Sequence, residues 1–147
     1  MQRLLPPFFF LVCAVMMVLL STYYPILRFL QPPWTLIGIL DLIGGLSITL
    51  IAGVQFMRAK TNLKTFKRPD QFITTGLFRF SRNPMYLGFA ISTFGVALYL
   101  GALSPFLICA LFIAVADRWY ISYEEKVMAE TFGQAYMDYK TKVRRWV

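Results

Sequence analysis

Apolar residues fall into four long runs, each opened or closed by proline, glycine or charge. The first extends from about Phe8 to Tyr24, behind Pro6-Pro7, a pair better suited to a helix start than to its interior. Pro25, Pro32 and Pro33 mark a turn. The second run covers Trp34 to about Met57 and is long enough to cross a bilayer with some tilt. A third occupies Met85 to Leu100, just after Pro84. Gly101-Ala102-Leu103-Ser104 reads as a tight hairpin, and Pro105 opens a fourth run that reaches about Ile121. That run is short and carries Asp117 and Arg118 near its end, which places the end at the membrane interface rather than in hydrocarbon. Beyond it, Ser122 to Thr131 is polar on one side with Tyr123, Val127 and Met128 on the other. Gly133 interrupts as a helix cap, and Tyr136, Tyr139 and Val143 follow at helical spacing. The pattern predicts an all-α polytopic membrane protein with about four transmembrane helices and a C-terminal amphipathic helix. Residues 1–147 then form a single integral membrane domain, with an N-terminal helix pair at 1–57 and a second half at 58–147.

Composition agrees. Hydrophobic residues make up 58% of the 147 positions and charged residues 15%, whereas a soluble domain is about half apolar and about a quarter charged. The net charge of +8 does not point to nucleic acid, because the basic residues flank apolar runs and form no separate arm. Between Met57 and Pro84 stand Arg58, Lys60, Lys64, Lys67, Arg68, Arg79 and Arg82 against Asp70. After the fourth run come Lys126, Lys140, Lys142, Arg144 and Arg145. The first connecting loop carries only Arg28 and the hairpin no charge, so the positive-inside rule predicts that both termini and the central loop are cytoplasmic. No small-residue cleavage site follows the first run, which therefore reads as a retained span rather than a signal peptide. Cys13 and Cys109 lie inside apolar runs and histidine is absent, so neither a disulfide framework nor a metal site is expected.

Two stripes of small residues, Gly45, Thr49 and Gly53 in the second run and Gly88, Ser92 and Gly95 in the third, predict close helix packing. Asp41 fits either a functional intramembrane carboxylate or a position near the outer headgroups. Two constellations could carry chemistry, both at the expected cytoplasmic end. One is the stretch from Thr75 to Gly88, with Gly76, Arg79, Arg82, an Asn83 held extended by Pro84, and Tyr86. The other is Glu124-Glu125. A short hairpin makes the third and fourth spans antiparallel neighbours, which brings Arg82-Asn83 close to Glu124-Glu125. A polar pocket of both signs at the rim of an apolar bundle suits a zwitterionic, cationic cofactor such as S-adenosylmethionine. The carboxylates would meet its positive groups, Arg82 its carboxylate, and Phe78 and Tyr86 its adenine or its cation. The same charges equally fit simple pairing of helix ends at headgroup level.

The motif Ser81-Arg82-Asn83-Pro84-Met85-Tyr86-Leu87-Gly88 resembles the Arg-His-Pro-x-Tyr-x-Gly motif of isoprenylcysteine carboxyl methyltransferases and related membrane phospholipid methyltransferases. Tyr123-Glu124-Glu125, followed by Phe132-Gly133, Tyr136, Tyr139 and Val143, resembles their C-terminal signature, and the Thr61-to-Gly76 segment their approach loop. The likeness covers about Lys60 to Trp146. It implies a methyltransferase whose cofactor-binding half is 58–147. S-adenosylmethionine would be held by Gln71, Phe72, Ile73, Phe78, Asn83, Pro84, Met85, Tyr86 and Glu124, while a lipid-like or small hydrophobic acceptor enters from the bilayer. Arg82, Asn83 and Glu125 are the candidates for catalysis, and Arg118 and Tyr120 for substrate binding. Asn83 stands where the carboxyl methyltransferases carry histidine, and Tyr120 where they carry an arginine that meets the substrate carboxylate. These departures leave amine, thiol and other headgroups open as acceptors. Two further classes compete: a membrane reductase of similar C-terminal architecture that binds NADPH, and a non-enzymatic membrane subunit. The reductases tend to be longer, and a 2′-phosphate would prefer an arginine cluster to carboxylates.

Overall fold

The computed structural model describes residues 5–58 and 72–147. Gln71 and the basic residues Lys60, Lys64, Lys67 and Arg68 lie outside the described residues. Helices α1 (Pro6–Tyr23), α2 (Ile37–Arg58, entered through a 3₁₀ turn at Trp34–Leu36), α3 (Pro84–Leu100) and α4 (Ser104–Val115) form the bundle. A π-helical segment, Ala116–Ile121, joins α4 without a break to α5 (Ser122–Phe132), and α6 (Gln134–Lys142) follows across Gly133. The fourth span and the amphipathic region are therefore one continuous helix up to Phe132, and the amphipathic region is two helices rather than one. Gly133 has φ of 52°, a conformation that side chains with a Cβ rarely adopt, and the chain turns there.

Three helical stretches are long and apolar enough to span a membrane: Pro6–Tyr23, Trp34–Arg58 and Ser104–Phe132. The fourth, Pro84–Leu100, is apolar but shorter. Its 17 residues give a rod of about 25 Å, less than the ~30 Å of a hydrocarbon core. The surface is that of a membrane protein: Leu11, Val15, Leu40, Ile43, Leu50, Leu107 and Leu111 are exposed on the outward faces of α1, α2 and α4. In water such a surface would be an aggregation site; in lipid it costs nothing.

Helix α3 sits at the centre. Tyr86, Phe89, Ala90, Ser92, Thr93 and Ala97 are buried over most of its circumference while Phe94 is exposed on the remaining face, and the Ser92 and Thr93 hydroxyls are satisfied within the bundle. On one side lie α1 and α4, whose buried residues recur every three or four positions: Phe10, Cys13 and Met17 on α1, and Ile108, Cys109 and Phe112 on α4. Phe9 stacks on Phe112 and Phe10 packs on Phe89, while both cysteines are buried and free.

On the other side α2 packs along α3 through glycine. A Cβ built on Gly45 would stand 2.5 Å from the Gly88 carbonyl oxygen, and one on Gly95 would stand 2.5 Å from the Leu42 nitrogen. Gly38 is equally crowded by Gly95 and Tyr99 backbone, whereas Gly44 and Gly53 have nothing within 4 Å. The expected stripe is thus corrected at one position: Gly38, not Gly53, belongs to the seam. Gly38/Gly45 and Gly88/Gly95 share a seven-residue spacing, the repeat of two helices in left-handed contact. The Thr49 hydroxyl donates to the Met85 carbonyl at 3.1 Å and the Ser92 hydroxyl to the Leu42 carbonyl at 3.3 Å.

At the far end from the site, the Phe29 and Leu30 amides donate to the Gly101 carbonyl and the Leu103 amide to the Leu27 carbonyl. These bonds tie the first loop to the α3–α4 hairpin. At the site end, α2 continues from Thr49 to Arg58, about 13 Å past the first turn of α3. The start of α3 therefore lies below the ends of α2 and α5 and forms a floor between them.

Candidate functional site

The floor is built by the turn before α3. Gly76–Arg79 forms a 3₁₀ turn in which Gly76 has φ of 63°, and the Leu77 amide donates to Gln55 Oε1 at 3.1 Å. Phe78 is buried against Phe56, and its carbonyl accepts a hydrogen bond from the Tyr139 hydroxyl of α6. Burial pushes the Tyr139 phenol up to about 12, with Arg82 opposing the shift. Burial likewise raises Tyr136, and the nearby Glu125 adds to it. Both are neutral hydroxyls at physiological pH. Phe72 lies in a nest of aromatic rings formed by Phe132, Tyr136 and Tyr139, with ring centroids 5.4, 5.8 and 5.1 Å away. Ile73 beside it is half-buried. The chain leaving the central loop is thus clamped onto α5 and α6.

The next residues enter the polar cluster. Ser81 and Asn83 are buried; the Asn83 amide donates to Ser81 Oγ at 3.1 Å, and Pro84 begins α3 at a position where a missing N–H costs nothing. Arg82 reaches across to α5, where its Nη2 meets Glu125 Oε1 at 2.8 Å with both side chains only 7% exposed. Its Nη1 donates to the Lys140 carbonyl at 3.1 Å. Its Nε is buried and, among the described residues, without a hydrogen-bond partner.

The two adjacent glutamates have different surroundings. Glu125 is held by three cations: Arg82, Arg145 at 2.7 Å and Lys140 at 3.8 Å. Glu124 accepts a hydrogen bond from the Tyr86 hydroxyl at 2.8 Å, and among the described residues no cation pairs with it. Tyr86 stacks on Tyr120 at 6.1 Å, and Tyr120 packs on Phe9, so the Glu124 carboxylate sits at the edge of an aromatic wall shared by α1, α3 and the π segment.

The proximity of Arg82-Asn83 to Glu124-Glu125 expected from hairpin geometry is present. Gln71 falls outside the described residues; Phe72 packs against α5 and α6, Phe78 against Phe56 of α2, and Tyr86 reaches Glu124, while Ile73, Asn83, Pro84 and Met85 lie in the same chain segment. The two substrate candidates separate. The Tyr120 side chain is buried, whereas that of Arg118 is 88% exposed and its Nε lies 3.7 Å from Asp117. Asp117, Arg145 and Trp146 had no place in the sequence reading of the site. Asp117 pairs with Arg145 at 3.2 Å and accepts from the Trp146 indole at 2.9 Å. Ser81 donates to the Arg145 carbonyl at 3.3 Å. In the sequence Arg145 counts only as one more cation of a basic tail. The available signal was its position next to Trp146, an amphipathic aromatic outside any span.

An all-helical membrane bundle with a two-signed polar cluster at the start of its central helix defines a class: a polytopic membrane protein with a charged cluster at one rim. Residues 33–135 match the phospholipid methyltransferase family, and the chain belongs to that family. It is 39% identical over 85 residues to the protein-S-isoprenylcysteine O-methyltransferase of Saccharomyces cerevisiae, a match covering 55% of this chain and 34% of the yeast protein. The match thus spans about a third of that relative's length. It is also 36% identical over 63 residues to an uncharacterized protein of Haemophilus influenzae, covering 43% of this chain and 100% of that protein. No solved structure matches.

Proposed function

We propose that the chain transfers a methyl group from S-adenosylmethionine to a lipid-like acceptor, with the site on the cytoplasmic side of the membrane. The observation that carries this reading is the contrast between the two glutamates. Glu125 is already neutralised by three cations, while Glu124 has a hydroxyl partner and, among the described residues, no cation. A carboxylate kept in a half-buried rim without a counter-ion is costly unless a cation arrives. The donor set also fits the rest of the cofactor: Arg82 Nε is a buried, unpartnered donor suited to a carboxylate, and the aromatic residues Phe72, Phe78 and Tyr86 along the floor suit an adenine ring.

The cofactor, when bound, supplies an electrophilic methyl group on a sulfonium. The work of the chain is placement. Glu124 and the faces of Tyr86 and Tyr120 attract and orient positive charge. The short α3 leaves its first turn below the ends of α2 and α5, so an acceptor arriving from the bilayer meets the site without its tail leaving lipid. Alignment of the two reactants and exclusion of water then supply the rate enhancement, with no general base demanded of a nucleophilic headgroup. Asn83 is held by Ser81 and the Arg145 carbonyl, so its role here is to shape the turn.

The test is calorimetric titration of the nanodisc-embedded protein with S-adenosylmethionine and, in parallel, NADPH. Micromolar-range binding of the first alone is the expected result. NADPH binding alone would make the protein a reductase, and binding of neither would leave a non-enzymatic subunit.

A further inference from the structure

One short segment, Arg144 to Trp146, touches the 81–83 turn, the π segment and α5. The Arg144 carbonyl accepts from the Arg82 amide at 3.0 Å. The Arg145 carbonyl accepts from both Ser81 Oγ at 3.3 Å and Asn83 Nδ2 at 3.1 Å. The Arg145 guanidinium forks between two carboxylates: Nη2 and Nε meet Glu125 at 2.7 and 3.3 Å, and Nη1 lies 3.2 Å from both oxygens of Asp117. The hydrogen bond to Glu125 is the main cause holding the Arg145 proton more tightly than usual. The Trp146 indole completes Asp117, and its ring packs against the bundle core. The segment joins the 81–83 turn to the π segment and α5.

Charge accounting gives this arrangement a purpose. Three carboxylates, Asp117, Glu124 and Glu125, crowd this rim, and the two guanidiniums drawn into it are Arg82 and Arg145. Arg145 takes Asp117 and shares Glu125 with Arg82 and Lys140, so among the described residues Glu124 is the carboxylate that no cation pairs with. We propose that Arg145 is the positioning residue of the site: it fixes which carboxylate remains available to a cationic ligand, and holds the Ser81–Asn83 turn beneath it. The assignment rests on the reading of the site as one for a sulfonium cofactor. Lysine cannot replace Arg145, because a single ammonium cannot bridge two carboxylates in the plane of a fork.

The experiment measures S-adenosylmethionine affinity by calorimetry in nanodiscs for the wild type, Arg145→Gln, Arg145→Lys and the double variant Arg145→Gln/Glu125→Gln. Dye labelling of the buried Cys13 and Cys109 on heating checks that each variant is folded. Arg145→Gln is expected to weaken binding about tenfold or more, and Arg145→Lys to recover only a minor part of the loss. The double variant returns the cluster to its original net charge and is expected to bind within a few-fold of wild type. Unchanged binding in Arg145→Gln overturns the proposal. So does loss of binding that the double variant does not rescue, since that is what a purely structural strut would give. Absence of binding in the wild type instead refutes the sulfonium-cofactor reading itself, and this inference falls with it.

Discussion

Gly45 and Gly53 lie two turns apart on α2, and replacing each with alanine separates packing from helix propensity. Either substitution gains the same intrinsic preference, up to about 1 kcal/mol. At Gly53 the new methyl has nothing within 4 Å. At Gly45 it would sit 2.5 Å from the Gly88 oxygen, the Ser92 nitrogen and the Ser92 hydroxyl oxygen. Backbone atoms cannot rotate away, so α2 and α3 must part by roughly the shortfall from an ordinary ~3.4 Å contact, close to 1 Å. Overpacking of this kind costs about 1–3 kcal/mol, and the Ser92–Leu42 hydrogen bond, worth about 0.6 kcal/mol in a membrane, is strained with it. Propensity cancels in the comparison, so the difference between the two variants is about 1.5–3.5 kcal/mol. At roughly 2–4 °C per kcal/mol for a chain near this size, Gly45→Ala should melt about 3–14 °C below Gly53→Ala. Cys13 and Cys109 are buried and free, so a thiol-reactive fluorogenic dye reads the melt in detergent without added labels. Equal melting temperatures would refute the seam as drawn, as would a larger loss at Gly53.

Other perturbations test the site. Glu124→Ala should abolish S-adenosylmethionine binding in calorimetry while leaving the thiol-dye melt unchanged, and retained affinity would move the protein to the structural reading. Tyr86→Phe removes the hydroxyl that orients Glu124, a bond to a charged group worth about 1.5–3 kcal/mol. Cofactor affinity should fall about tenfold in the same titration, and an unchanged constant would disconnect Tyr86 from the site. Tyr139→Phe tests alkaline behaviour. A phenol held near 12 in the fold against 10 unfolded contributes stability that is complete below pH 10 and is lost as pH rises through 12. The wild type should thus lose stability over that window faster than Tyr139→Phe, as followed by circular dichroism.

The spans were legible because lipid imposes a length and a composition on each helix. Pro84 and Pro105 place the starts of the last two within a residue, and Arg82-Asn83 could be set beside Glu124-Glu125 from the shortness of the hairpin alone. The seam was half legible. Small residues announce close packing, but which of them touch depends on the register between two helices. Gly53 matched the pattern without a partner, while the equal spacing of Gly38/Gly45 and Gly88/Gly95 held the answer. The role of Arg145 was hidden for a different reason. Its contacts reach back to Ser81, Asp117 and Glu125, and a basic tail reads the same whether its charges face lipid headgroups or the protein.

The π segment is the least legible feature, and it decides which glutamate is free. In an unbroken α-helix, Asp117 and Glu124 would be seven residues and only about 20° apart, while Glu125 would lie about 80° from Asp117. A guanidinium anchored at Asp117 would then face Glu124. One residue absorbed by the wider turn at Ala116–Ile121 advances the register by a position. Glu125 comes beneath Asp117, where Arg145 spans both, and Glu124 swings toward Tyr86. Wheel projections at a uniform 3.6 residues per turn therefore assign the pair the wrong way round. A single extra residue in one turn exchanges the paired carboxylate for the one left to meet a cation.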